Sequence, residues 1–404
     1  MVIGNALQWL KVRLQAIPPH RRLLTIVVIG ILLLGTLIVL DEMVIRGGLI
    51  DLTGPIRDVP LYRERTQTVL DGKWLYRELP IESPPLIVYL MLPPQIAGGS
   101  DLAYEVYFSM FIIFTACALY LGLRRWDDCK AFQVGLLFVI LPFGSVECTI
   151  GIQDDSIAIF LFLASVLLAL NGRTRATAVS IAVGVLTKMF NVLFYPVYLL
   201  NAKSKREALV DLGIIATASF LIALPFLIVA PMAFLSFPSY YFLGSDARPT
   251  GGVSIWDFLY AGGIHIPGMV LLALSVTAIA GSLYYVHKRK LGILEGSLLV
   301  LMAFLVIYAR SGAVYFAIPG ALLLIWGVDD WRIALRTLIA YVPIIASTAF
   351  SASTIREVPV IDFWWSWIAG FALSLTGMLL LVDAARLALK KRPFTSPPKN
   401  AGEA

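Results

Sequence analysis

Long apolar stretches recur along the whole of this 404-residue chain, and short clusters of Lys and Arg stand between them. Residues 23–40, 269–286 and 363–381 carry no charged side chain at all. A helix of about 20 residues spans roughly 30 Å of hydrocarbon, so runs of this kind, repeated many times, demand lipid as solvent. A soluble core of this size would not hold a composition of 59% hydrophobic and 14% charged residues, with mean hydropathy +0.84. The net charge of +6 would suggest nucleic acid in a soluble protein. Here the cations flank apolar runs, which is the pattern that sets membrane orientation, and no nucleic-acid partner is expected.

Placing the basic clusters in the cytoplasm gives a consistent alternation over about twelve spans, so the expected fold is all-α, a polytopic transmembrane helix bundle. The spans are expected at residues 23–40, 102–123, 131–146, 156–170, 176–187, 192–200, 209–230, 269–286, 291–309, 315–328, 338–350 and 363–381. Both termini then lie in the cytoplasm of a multi-pass protein, with the plasma membrane as its expected site. The first run follows Lys11, Arg13, Arg21 and Arg22, is too long for a signal-peptide core and has no small-residue cleavage site, so it reads as a retained helix. Residues 1–392 are expected to form one transmembrane domain. It carries a first outer loop at 46–83, an interfacial helix at 84–98 between Pro-Pro and Gly-Gly pairs, and a long outer loop at 231–267. Residues 393–404, rich in Pro, Lys and Ser, read as a disordered tail. Cys117, Cys129 and Cys148 suggest neither metal-ligand spacing nor a disulfide framework, and His20, His265 and His287 are scattered. No metal and no cofactor is expected.

Outer loops are usually sparing of Lys and Arg, yet the first one carries Arg46, Arg57, Arg63, Arg65, Lys73 and Arg77 beside Asp51, Asp58, Glu64, Asp71, Glu78 and Glu82. Such cations grip an anionic lipid headgroup or serve compensating ion pairs on a solvated helix. Asp58-Val59-Pro60-Leu61-Tyr62, Gly72, Tyr76 and Pro84-Pro85-Leu86 form an ordered series: an acid, a helix of roughly four turns, a glycine stop and a proline-bounded return.

This series resembles the first outer loop of GT-C type glycosyltransferases that use a polyprenyl-phosphate sugar, in particular the mannosyltransferase branch. Gly151-Ile152-Gln153-Asp154-Asp155 is similar to the family's G-x-Q-D group, with the doubled acid leaving two candidates for one position. Gly184 and Lys188 look like the segment bearing the family's outer lysine; Arg248-Pro249, Ser254-Ile255-Trp256 and Arg310 with Tyr315 are looser matches. The resemblance implies a catalytic acid at Asp58, with Asp51 a second acid in the same loop. It also implies a polyprenyl-phosphate sugar donor, mannose as the sugar, and a glycolipid or lipid-linked glycan acceptor in the membrane, all on the non-cytoplasmic side.

The chemistry fits those residue types. A phosphate leaving group is a stable anion and needs no general acid, so one carboxylate within reach of the acceptor hydroxyl suffices, unlike glycoside hydrolysis with its two. Direct displacement inverts the anomeric centre. Fixed cations must stabilise the departing phosphate, and Lys188, Arg310 and Arg248 are the candidates. Lys188 could instead snorkel to the interface. Gln153, Asp154 and Asp155 would orient hydroxyls, or an acid of the pair would cap the helix that follows. Tyr62, Trp74, Tyr240, Tyr241 and Trp256 could stack on a sugar or form an interfacial aromatic belt. Two rivals remain: a lipid-linked sugar flippase, which would carry charge midway along its helices, and a non-catalytic subunit, which need not keep Asp58.

Overall fold

The computed structural model describes residue 14 and residues 16–46, 57–243, 250–351 and 365–395, apart from the side chains of 240–243. Asp51, Arg248, the side chains of Tyr240 and Tyr241, and the tail from residue 396 therefore lie outside the described residues.

The chain is helical nearly throughout. α1 (Pro19–Leu40) runs on through a π-helical turn, Asp41–Ile45. After the first outer loop's α2 (Val59–Leu70) come the short α3 (Pro85–Leu90) and α4 (Leu92–Ile96), where the interfacial helix was expected. Then follow α5 (Asp101–Leu123), α6 (Asp128–Val139), α7 (Pro142–Thr149), α8 (Asp155–Leu170), α9 (Thr174–Thr187), α10 (Asn191–Leu200), α11 (Lys205–Val229) and α12 (Pro231–Leu243). The remaining helices are α13 (Ile255–Ala261), α14 (Gly268–Arg289), α15 (Ile293–Ile307), α16 (Ala317–Gly327), α17 (Trp331–Ile339), α18 (Tyr341–Thr348) and α19 (Ser366–Leu389).

By length and composition, five of the described helical stretches can cross a membrane: Pro19–Ile45, Asp101–Leu123, Lys205–Val229, Gly268–Arg289 and Ser366–Leu389. The pair α6 and α7, bent by 41°, would make a sixth. The other apolar segments form helices of 10–17 residues or less. Burial separates the two sets. α1 hides only Arg22, Ile26, Gly30 and Leu34, one residue per turn, and leaves Leu24, Ile31 and Leu32 exposed. α11 hides four residues of its 25. Exposed apolar faces of that extent require lipid, and the chain is an integral membrane protein. α16 is buried at every position and forms the centre, with α6, α15, α17 and α19 packed around it; a helix apolar all round belongs in a core.

Charged side chains are buried near the ends of several helices, as well as in the loop that bears α2. Asp211, wholly buried near the start of α11, pairs with Arg175 and the Tyr198 hydroxyl. Asp128 pairs with Arg22, and Asp330 with Lys391 at 2.7 Å. At the opposite end of α1, buried Asp41 and Glu105 meet Arg46 and Arg57. Charge sits at both ends of the bundle because each buried carboxylate there has recruited an arginine or lysine, which hydropathy cannot reveal.

A parallel pair of two-residue strands, β1 (Gly251–Gly252) and β2 (Arg310–Ser311), interrupts the helical pattern. It stitches the segment before α13 to the exit of α15. The Trp256 indole donates to the Ile307 carbonyl at 2.6 Å, and Ser254 Oγ to that of Tyr308 at 2.9 Å. Gly252 has φ +69°, and a Cβ there would stand 2.4 Å from the Ser311 oxygen, so only glycine fits.

Candidate functional site

Three segments distant in sequence meet at the start of α2. Asp58 stands at the N-cap of α2, whose first turn contains Pro60 where its missing N–H costs nothing; Gly72, at φ +73°, stops the chain just beyond. α2 docks by Thr66 Oγ1 against the Tyr104 hydroxyl at 3.1 Å, and Tyr104 donates to Gln95 at 3.0 Å. Arg63 pairs with Asp101. One turn on from Asp58, Tyr62 is 2% exposed, wedged among Tyr104 and Phe108, and its hydroxyl accepts from the Asp154 backbone N–H at 3.4 Å. Burial, then the negative charges of Asp154 and Asp58, push the Tyr62 phenol well above its ordinary value. Asp58 thus bears on the same phenol that touches Asp154.

The second segment is the turn between α7 and α8. A Cβ on Gly151 would meet the Glu147 oxygen at 2.4 Å, and buried Ile152 holds φ +48°, a strained conformation for a β-branched residue. The strain turns Asp154 and Asp155 inward. Gln153 is spent locally, its amide on the Gly151 carbonyl at 3.2 Å. Asp154 is the N-cap of α8, but its side chain makes no capping hydrogen bond. Both carboxylates go instead to Lys188, 2.6 Å from Asp154 Oδ1 and 2.7 Å from Asp155 Oδ1.

Lys188 is the third contribution. It adopts an extended conformation that ends α9, and α10 begins three residues later. Helices of 14 and 10 residues rise about 21 and 15 Å, short of a 30 Å crossing, so Lys188 marks the vertex of two partial-length helices. Gly184 makes the hairpin possible, since a Cβ there would lie 2.4 Å from the Asn191 side chain. The lysine neither snorkels alone nor stands open; it is the counter-ion of two nearly buried acids. Two carboxylates thus share one ammonium.

From Lys188 an apolar cavity of about 110 Å³ runs along Phe190, Leu193, Ile279, Phe304, Tyr308 and Tyr315. Tyr315 and Phe190 pack edge to face at 4.9 Å. Arg310 lies on β2 between Tyr308 and Tyr315, on the segment that lines this cavity. Sequence reasoning thus brought together Asp58, Tyr62, Asp154, Asp155 and Lys188. Gln153 and Trp256 are engaged by backbone carbonyls, and Arg248 lies outside the described residues. It missed the cavity wall from α14 and α15, whose apolar residues look like any other span. Of the two readings of the loop's cations, ion pairing holds for most, with partners the sequence did not name: Arg46 and Arg57 with Asp41, Arg63 with Asp101, Lys73 with Asp71, Arg77 with Glu78. Glu105, a carboxylate inside an apolar run, was the one available signal for the first of these clusters.

No curated protein matches the chain. Residues 83–325, more than half of its length, match the model of glycosyltransferase family 87. The match takes in Asp154, Asp155, Lys188, Trp256 and Arg310, while Asp58 and Tyr62 precede it. The chain belongs to glycosyltransferase family 87, and it is a membrane glycosyltransferase.

Proposed function

We propose that the protein transfers a hexose, mannose by resemblance, from a polyprenyl-phosphate sugar to a hydroxyl of a glycolipid or lipid-linked glycan, on the non-cytoplasmic side and with inversion. The observation that carries this reading is the convergence of Asp58, Tyr62 and the Lys188–Asp154–Asp155 cluster at the end of an apolar cavity. An acid-rich polar cluster suits hydroxyl groups, and an apolar cavity beside a lysine suits the first part of a lipid chain next to its charged head.

Asp58 acts as general base on the acceptor hydroxyl; the new bond forms to the anomeric carbon as the bond to the phosphate oxygen breaks, and the proton passes to Asp58. Asp154 and Asp155 orient sugar hydroxyls, with Tyr62 holding the Asp154 backbone. Lys188 and Arg310, with Arg248 from the long outer loop, take up charge on the leaving phosphate. The twelve-span topology, cytoplasmic termini and plasma-membrane setting belong to this same reading.

The test is purified protein in lipid with labelled polyprenyl-phosphate mannose and a membrane extract, comparing wild type with Asp58→Asn. Loss of about 10²- to 10⁴-fold in transfer, with donor binding kept, is expected for removal of a base. Undiminished transfer in Asp58→Asn sinks the assignment of the base, and no transfer by wild type from any lipid-phosphate sugar sinks the donor class.

A further inference from the structure

Arg65 breaks the rule that the first loop's described cations obey. It is 9% exposed, yet among the described residues it meets no carboxylate: one guanidinium nitrogen reaches Ser83 Oγ at 3.3 Å, and Nε has no partner. A guanidinium offers five donors and keeps its charge at any pH, so one this buried, with a single hydroxyl partner and an unmet Nε, has donors left for an anion. Its position relates it to the chemistry. Arg65 is seven residues after Asp58 on α2, two turns along and about 20° around, which puts it on the face that carries Asp58 and Tyr62, roughly 10 Å from the acid along the axis.

Its surroundings are aromatic and apolar. Ser83, its one partner, accepts the Tyr76 hydroxyl on its carbonyl at 2.6 Å, and Tyr76 packs edge-on against Phe226 and Phe234 at 5.5 and 5.2 Å. Phe226 lies in α11, whose apolar surface is otherwise mostly exposed. At the Lys188 cluster two acids already share the ammonium, so a phosphate nearby gains from an additional cation that no acid engages.

We infer that Arg65 is a phosphate-binding residue that grips the phosphate of a lipid-borne substrate about two helical turns from Asp58. The inference rests on the proposed glycosyl transfer for the identity of the substrate, but the binding it describes is measurable without turnover. The guanidinium fork takes two phosphate oxygens at once, which a lysine would not do. The donor's phosphodiester, the polyprenyl phosphate left after transfer and an acceptor's phosphodiester all present non-bridging oxygens to such a fork.

The experiment is equilibrium binding to purified protein in detergent, wild type against Arg65→Gln, with three probes: undecaprenyl phosphate, the matching alcohol undecaprenol, and phosphatidylglycerol. Wild type should prefer undecaprenyl phosphate over the alcohol, and Arg65→Gln should lose that preference by tenfold or more while binding the alcohol unchanged. A loss confined to phosphatidylglycerol instead assigns the residue to an acceptor's phosphodiester. Equal binding of every probe by wild type and variant overturns the inference, whether or not sugar transfer occurs. Arg65→Lys guards against misfolding: it keeps the charge and should show an intermediate loss. Melting temperatures answer the structural alternative, since a residue serving only the fold would lower Tm in Arg65→Gln without changing the ratio of phosphate to alcohol binding.

Discussion

Single residues in this site do work that their neighbours decide. Tyr62 is the clearest case, because a phenol pushed upward by burial and by two carboxylates stays neutral and keeps its hydroxyl for the Asp154 N–H. Its folded-state value lies above its unfolded one, so the stability it contributes is complete below about pH 10 and is lost as pH rises from there through the raised value. Thermal unfolding across alkaline pH should therefore fall more steeply in wild type than in Tyr62→Phe, and parallel curves would contradict this. Lys188 is bound to its surroundings more tightly still. Lys188→Met leaves Asp154 and Asp155 buried without a counter-ion and should cost about 3–5 kcal/mol. Adding Asp154→Asn and Asp155→Asn to that variant should recover much of the melting temperature while transfer stays absent, separating the lysine's part in folding from its part in chemistry.

Elements show which features a linear reading can reach. The start and stop of α2 were legible, since an acid, a proline and a glycine punctuate the chain for local reasons. The partners of Lys188 were not, because 34 and 33 residues separate it from Asp154 and Asp155, and sequence offers no measure of which apolar helices pack together. The same holds for Asp154 itself: its position before a helix invites a cap, and the stronger attraction of a buried ammonium overrides it. The strand pair between β1 and β2 is two residues long and left no periodicity to detect. It nonetheless fixes the segment before α13 beside the cavity. Gly252→Ala forces both an unfavourable φ and a collision with Ser311, so it should release residues 250–254 to faster hydrogen exchange while the exchange of α16 stays unchanged. Equal protection in both proteins would show that the strand pair is not what holds this segment.

The molecule pairs a few lipid-length helices with many shorter ones, and the shorter α8, α9, α10 and α15 bear on the site. The apolar runs told that lipid is the solvent, yet hydropathy treats a half-length hairpin such as α9 and α10 as two spans, which is why a count of twelve and the five or six full-length stretches differ. Topology is testable directly. In a cysteine-free background, Lys73→Cys should react with a membrane-impermeant thiol reagent in intact cells, and Lys203→Cys only after permeabilisation; the reverse pattern would invert the proposed orientation. One feature of the bundle bears on how such a protein can change over time. Asp41 is held by Arg46 on one side and by both terminal nitrogens of Arg57 on the other, so the chain that leaves at Arg46 returns to the same carboxylate one residue before Asp58. Whatever lies between those arginines is tied off at its base. Doubling the length of such a closed stretch costs only about 0.6 kcal/mol of closure entropy, so insertions there are cheap and leave Asp58 where it is. A lineage could then remodel the segment to meet a different acceptor without rebuilding the catalytic position.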